Sequence, residues 1–136
     1  MKTTNYYNTF IQVAEDCPVQ AAEMPPQKKE DKTVATLQFE MIYNNPYAYT
    51  SDDVLFGVYA AKNKISSLAL EEEREKYFSK GQACFRSSPL GKRYGWGIHS
   101  NAEGKVAIYA IDSDEYKKLS EDISLKNIKA MRSKRA

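Results

Sequence analysis

The chain has 136 residues, of which 28% are charged and 42% hydrophobic, with twenty basic and eighteen acidic side chains. These values are typical of one soluble domain, and they exclude a multidomain enzyme and a disordered tail. No apolar run approaches the ~18 residues of a membrane helix, and the first residues lack the apolar stretch of a secretory signal, so we expect a cytoplasmic protein with no membrane partner.

The first half of the chain is predicted to supply three strands. Residues 9–13 form a short strand which, at a sheet edge, offers pairing to a second copy. Over residues 33–43 apolar and polar side chains alternate, as in a half-buried strand. Residues 54–61 are apolar at nearly every position, which predicts a central strand covered on both faces. The polar segment 21–32, interrupted by prolines, is predicted to be a surface loop.

Residues 68–80 form the first predicted helix. Ser67 stands where an N-terminal cap belongs, and Gly81 follows the last turn. Glutamates 71–73 suit the positive end of the helix dipole and form the solvated face. The stripe facing the core consists of Leu70, Tyr77 and Phe78.

Residues 101–104 (NAEG) carry the clearest turn signal of the chain. They predict a hairpin with Gly104 in the left-handed conformation and Asn101 paired with Lys105. The apolar pairs in that register are Trp96 with Ala110 and Ile98 with Ile108.

Two helices are predicted after the hairpin, the first capped by Asp112 and Glu115 and the second by Ser124. With the preceding elements they predict an α+β fold: a single domain with an antiparallel sheet of about five strands and two or three helices on one face. The inward residues of the two helices are Tyr116, Leu119 and Ile123, then Leu125, Ile128 and Met131.

Residues 93–99 (RYGWGIH) are the most informative stretch for function. As a strand, they present Arg93, two glycines and His99 on the face opposite Trp96. The glycines leave bare backbone between a guanidinium and an imidazole, which makes room for a ligand. Arg93 suits a carboxylate or phosphate, and His99 exchanges a proton near neutral pH. In the alternative interpretation, the ring of Tyr109 packs over a glycine of the neighbouring strand, and the glycines serve packing and not ligand binding.

Residues 86–93 add two more cations, two serines and a glycine, with no acidic residue. Such a loop can enclose an anion, although it lacks the spacing of a P-loop. The first hypothesis is therefore a binding module for a small anionic or phosphorylated ligand, with no cofactor; a solvated loop is the alternative. The ligand-binding residues of this hypothesis are Arg86, Lys92, Arg93 and His99.

The two parts of the chain differ in charge. Residues 1–80 carry nine basic and twelve acidic side chains, whereas residues 81–136 carry eleven and six. Lys126, Lys129 and Arg132 recur at every third position and would line one side of the final helix. Such a stripe can meet nucleic-acid phosphates. Against this second hypothesis, the isoelectric point of about 8.4 lies below the ~9 of dedicated nucleic-acid domains, and basic tails are common solvated ends.

A third hypothesis is a small cofactor-free enzyme. Cys17 and Cys84 are its candidate nucleophiles and His99 its candidate base. Cys17 lies in a predicted loop, but the neighbouring Asp16 disfavours its thiolate. The surroundings of Cys84 are typical of a buried thiol. With one histidine and two reduced cysteines, no metal site is predicted.

Ten residues are tyrosines. Tyr6, Tyr7, Tyr47 and Tyr49 fall in predicted loops, where their rings can stack or contact a ligand. Others fall on predicted core stripes, so the number of tyrosines does not by itself indicate a function.

Several sequence blocks are distinctive: TFIQVA at 9–14, DCPV at 16–19, NPY at 45–47, SPL with KRYGWGIH at 88–99, and KAMRSKRA at 129–136. Together they resemble a small bacterial family catalogued as a domain of unknown function, over essentially the whole chain. The resemblance implies a bacterial, cytoplasmic single-domain protein. It assigns no activity, cofactor or site residue.

Overall fold

The computed structural model describes residues 2–26, 30 and 32–133. The class is α+β, as predicted. One mixed sheet has the strand order β3-β2-β1-β4, so the expected sheet of about five antiparallel strands is wrong, as is the number of helices. In chain order the elements are β1 (Thr9–Gln12), α1 (Val34–Tyr43), α2 (Ser51–Lys62), α3 (Leu70–Ser79), a 3-10 turn (Phe85–Ser87), α4 (Pro89–Lys92), β2 (Trp96–Ser100), β3 (Val106–Ala110), α5 (Asp114–Glu121) and β4 (Lys126–Lys129).

β1 lies in the interior of the sheet, antiparallel to β2 and parallel to β4. The predicted strand at 9–13 is therefore confirmed, but its expected place at an edge is wrong. Thr9 lies beside Lys126 of β4, and Gln12 beside Lys129. Because both sides of β1 are paired within the chain, it offers no edge to a second copy.

One face of the sheet, which we call the core face, packs against α1, α2 and α4. Its central row is Ile11, Ile98 and Ile108, which lie side by side across β1, β2 and β3. All three isoleucines are buried in the hydrophobic core. The helices add further core residues, among them Phe39, Ile42, Val54, Val58 and Leu90.

The opposite face, which we call the α5 face, carries the side chains that alternate with those of the core face. α5 packs there through Tyr116, whose ring centroid lies 5.0 Å from that of Phe10. Helices therefore cover both faces, and the expectation that all of them pack on one face is wrong. The sheet residues of the α5 face include Phe10, Gly97, His99 and Tyr109.

The segment 33–43, predicted as a strand, is the helix α1. Thr33 caps it, its side-chain oxygen accepting a hydrogen bond from the backbone N–H of Thr36 at 3.2 Å. Ala35, Phe39 and Ile42 are buried, at the spacing of one helix face. The apolar residues of this segment fit both the alternation of a strand and the spacing of a helix. Packing against the rest of the protein favours the helix.

The segment 54–61, also predicted as a strand, lies in the helix α2. Thr50 and Asp53 form a capping box: the Asp53 N–H donates to the Thr50 hydroxyl at 3.1 Å, and the Thr50 N–H donates to the Asp53 carboxylate at 3.0 Å. A short continuous apolar run does not distinguish a buried helix from a buried strand. The capping box upstream is the signal that decides between them.

The segment 124–131, predicted as a helix capped by Ser124, contains the strand β4. Ser113 rather than Asp112 caps α5, accepting from the Tyr116 N–H at 3.2 Å. Ile123, predicted to point inward, lies beyond the helix and is fully exposed. The conformation of β4 depends on its pairing with β1, more than a hundred residues away, which no local pattern reveals.

The hairpin and the first helix are confirmed. The Asn101 N–H donates to the Lys105 carbonyl at 3.0 Å, Gly104 has a φ of +80°, and the predicted apolar pairs face each other. α3 falls within 68–80, but Ser67 does not cap it and Leu70, predicted to face the core, is exposed. Within the predicted loop 21–32, residues 27–29 and 31 lie outside the described residues, and the remainder contains no helix or strand.

The contact between the α5 face and its covering rings gives a stability prediction. A Cβ on Gly97 would lie 2.5 Å from Cζ of Phe10 and 2.6 Å from Cε2 of Tyr116. We expect Gly97→Ala to lower the free energy of unfolding by about 1–3 kcal/mol, because both rings must move. Urea denaturation measures this change.

Gly81→Ala is the matched control, because the nearest atom to its new Cβ is Cδ of Lys2 at 3.9 Å. We expect the control to change the stability little. A Gly97→Ala variant as stable as the parent would contradict the packing described above.

Candidate functional site

The face predicted to be open around Gly97 is filled. The edge-to-face rings of Phe10 and Tyr116 occupy the space above this glycine. Gly95, which has a φ of +82°, is covered as well, since a Cβ there would lie 2.9 Å from Val19. The packing interpretation of the glycines is therefore the better one, with Phe10 and Tyr116 in place of the expected ring of Tyr109.

The four predicted ligand-binding residues do not converge on one site. Arg86 lies in the 3-10 turn, and Lys92 and Arg93 lie at the end of α4, which packs on the core face. His99 lies on the α5 face. The structure thus separates His99 from the three cations.

Arg86 and α4, which ends at Lys92 and Arg93, instead border the last described part of the chain. Nε of Arg86 donates a hydrogen bond to the Lys129 carbonyl at 2.8 Å, and the Met131 N–H donates to the Arg86 carbonyl at 2.7 Å. A Cβ on Gly91 of α4 would lie 3.1 Å from Cβ of Ala130. We call the surface around this contact the basic surface. The cations of its segments are Arg86, Lys92, Arg93 and Arg132, whereas the side chain of Lys129 lies on the α5 face.

Two acidic residues lie at the same surface, and both are engaged. Nζ of Lys129 lies 3.1 Å from Oε1 of Glu15, and the Ser133 N–H donates to Asp16 at 2.9 Å. Among the described residues, no carboxylate forms an ion pair with the four cations of the basic surface. The basic surface therefore keeps an excess of positive charge.

The helical stripe expected for nucleic-acid binding does not form. Lys126 and Lys129 belong to a strand, in which residues three apart point to opposite faces. Lys134 and Arg135 lie outside the described residues. The segments that meet at the basic surface are the 3-10 turn, α4 and the residues that follow β4.

His99 takes part in a different arrangement, which we call the aromatic triad (Tyr47, His99 and Tyr109). The Tyr47 hydroxyl lies 2.7 Å from Nδ1 of His99 and 2.8 Å from the Tyr109 hydroxyl. His99 lies opposite Ala107 of β3, and its ring centroid lies 5.6 Å from that of Tyr47. The triad is a continuous hydrogen-bonded chain on the α5 face.

Tyr47 adopts a backbone conformation that is rare for a residue with a side chain. Its φ is +59°, and its N–H donates to the Val106 carbonyl at 2.9 Å. This left-handed conformation costs on the order of 1 kcal/mol or more and is maintained by the surrounding contacts. Sequence reasoning placed Tyr47 in a loop but did not associate it with His99, because no local signal connects the two.

Burial keeps His99 and Tyr47 neutral at neutral pH. Burial lowers the pKa of His99, and the carboxylate of Asp122 partly opposes that change. Burial also raises the pKa of Tyr47, so its hydroxyl remains protonated. Among the described residues, every buried side-chain nitrogen and oxygen has a hydrogen-bond partner. Because Nε2 of His99 has no such partner, this atom is in contact with solvent. The three side chains therefore form a hydrogen-bonded chain whose imidazole end reaches solvent.

The cysteine–histidine pair of the enzyme hypothesis is not assembled in the described residues. Cys84 lies 3.1 Å from the Tyr6 hydroxyl, and neither thiol is hydrogen-bonded to His99. No group of three or more His, Cys, Asp or Glu side chains able to hold a metal occurs among the residues described. None of the helices in the same part of the chain combines the length and apolar character needed to cross a bilayer.

The electrostatics of His99 predict the direction of two pKa changes. We expect His99 to titrate below its ordinary value of 6.5, because burial disfavours the imidazolium. Asp122→Asn should lower this pKa further, because it removes the negative charge that stabilises the imidazolium. NMR titration of the imidazole measures both values.

Asp114→Asn, at the other end of α5, is the control and should leave the titration of His99 unchanged. A rise in the pKa of His99 in Asp122→Asn would contradict the assignment of this carboxylate.

Comparison with known proteins gives the family and no activity. No curated protein and no solved structure shows significant similarity to the chain. One family profile, described as a family of unknown function (DUF6157), matches residues 1–136. The resemblance noted in the sequence is thus confirmed at the level of the family. The chain belongs to the family of unknown function DUF6157.

Proposed function

We propose that the protein is a binding module for a small phosphorylated or otherwise anionic ligand, which it holds on the basic surface. The observation that carries this proposal is the double hydrogen bond between Arg86 and the end of β4. It joins the 3-10 turn to the end of β4, and the contact between Gly91 and Ala130 brings α4 beside them.

The position of Arg86 supports the recognition of a phosphate. Its Nε is bonded to the Lys129 carbonyl, which holds the guanidinium in place. Its two terminal nitrogens have no hydrogen bond among the described residues, and a planar pair of this kind suits a bidentate contact with phosphate or carboxylate oxygens. Long-range attraction of an anionic ligand comes from three further cations that form no ion pair among the described residues: Lys92, Arg93 and Arg132.

The extent of the surface favours a small ligand over a nucleic acid. The cations come from one 3-10 turn, the end of one four-residue helix and one residue after β4. A set of four cations matches a group of a few phosphates, whereas a nucleic acid needs a longer track. Glu15 and Asp16 beside the patch would also oppose an extended polyanion.

Calorimetric titration with inorganic tripolyphosphate tests the proposal. We expect binding that the double variant Arg93→Gln, Arg132→Gln weakens by about tenfold, since each exposed charge contributes up to ~1 kcal/mol. Lys76→Gln on α3 is the matched control and should bind as the parent does. His99→Gln should also bind normally, because His99 lies on the other face.

Two results would contradict the proposal. One is the absence of binding by the parent protein, and the other is an equal loss in the double variant and the Lys76→Gln control. Tighter binding of a short single-stranded oligonucleotide than of tripolyphosphate, with a steep dependence on salt, would favour the nucleic-acid alternative instead.

A further inference from the structure

The two edges of the sheet differ in how they are protected. β4 has four residues, with a lysine at each end. Arg86 forms hydrogen bonds with Lys129 and with Met131, which lies just beyond the strand. Charged residues and short length are ordinary protection against pairing with another chain. β3, at the other edge, has the sequence VAIYA and carries no charge.

The hydrogen bonds at the ends of the hairpin show which groups of β3 face outward. The Asn101 N–H donates to the Lys105 carbonyl at 3.0 Å, and the Ile111 N–H donates to the Gly95 carbonyl at 2.9 Å. Backbone groups alternate in direction along an antiparallel strand, so the odd-numbered residues of β3 bond to β2. Val106, Ile108 and Ala110 therefore direct their backbone groups away from the sheet.

Some of these outward groups have partners and some do not. The Val106 N–H donates to the Tyr49 carbonyl, and its own carbonyl accepts from the Tyr47 N–H, both at 2.9 Å. The Ala110 carbonyl accepts from the Ser113 N–H at 2.9 Å. Within the described residues, the N–H and C=O of Ile108 and the N–H of Ala110 have no hydrogen-bond partner outside the sheet.

A cavity of about 430 Å³ lies along this free stretch. Ile42, Tyr43 and Trp96 form an apolar wall on the side of the core face. Ser113 and Glu115, at the start of α5, line the other side. The cavity thus combines a free strand edge with one apolar wall and one polar wall.

The polar wall is negatively charged. Glu115 lines the cavity, and Asp114 precedes it in the same turn of α5. Neither carboxylate forms an ion pair in the part of the chain that the structure describes. Charge complementarity therefore favours an occupant with basic side chains on this side.

We propose that this cavity binds an extended peptide segment of a partner protein, which adds a strand to β3 at Ile108. The free N–H and C=O of one residue match the two groups that a residue of a facing strand exchanges. Side chains of an added strand alternate between the two sides, so apolar ones meet Tyr43 and Trp96 and basic ones meet Glu115. This binding is independent of the basic surface.

The same geometry argues against a second copy of the chain as the occupant. The free stretch is bounded by Tyr47 on one side and Ser113 on the other. The β3 of a second copy would carry the same two flanking segments, and these would collide with the flanking segments of the first copy. A single extended strand has no such flanks.

A capped peptide of alternating valine and lysine is the probe, followed by the fluorescence of Trp96, which lines the cavity. We expect saturable binding and slower hydrogen exchange of the Ile108 amide in the complex. The same peptide with its valine nitrogens methylated should not bind, because the valine opposite Ile108 then cannot donate to the Ile108 carbonyl. Glu115→Lys should weaken binding about fivefold, whereas Glu121→Lys at the other end of α5 should not.

Three results would overturn the proposal. They are the failure of the unmethylated peptide to bind, binding that leaves the exchange of the Ile108 amide unchanged, and equal binding of both peptides. Protection of Ile108 that rises with protein concentration in the absence of peptide would show a second copy to be the occupant.

Discussion

The interior position of β1 is the constraint on which the rest of the structure depends. A strand of four residues pairs on one side with β2 and on the other with β4, and so joins the hairpin to the end of the chain. Its side chains contribute to both faces of the sheet. Ile11 belongs to the hydrophobic core, and Phe10, on the α5 face, contacts both Tyr116 and Gly97. Because a Cβ at position 97 would displace both rings, the packing favours glycine there.

This position of β1 also distributes the candidate sites. The chain after β1 and the chain after β4 run side by side, which brings Glu15 to Lys129 and Asp16 to Ser133. Arg86 and α4 border the same place, so the basic surface forms where three segments meet. His99 lies on the α5 face of β2, where it forms the hydrogen-bonded triad with Tyr47 and Tyr109. The single site that the sequence predicted is therefore two separate arrangements.

Local signals predicted those parts of the fold that local interactions determine. The hairpin at 101–104 and the helix α3 follow from turn chemistry and helix periodicity, and both are confirmed. Residues 33–43 and 54–61 were predicted as strands because alternation and short apolar runs fit either structure, and tertiary packing selected helices. β4 and the contact between Tyr47 and His99 depend on residues far apart in the chain. No pattern within either segment could predict them.

Hydrogen exchange of the β1 amides, measured by NMR, tests the central position of this strand most directly. In the structure the strand has a partner on each side, so every amide from Thr9 to Gln12 is directed at a neighbouring strand. We predict continuous slow exchange along β1. Alternating slow and fast exchange, the pattern of an edge strand, would contradict the topology and with it the assembly of the basic surface.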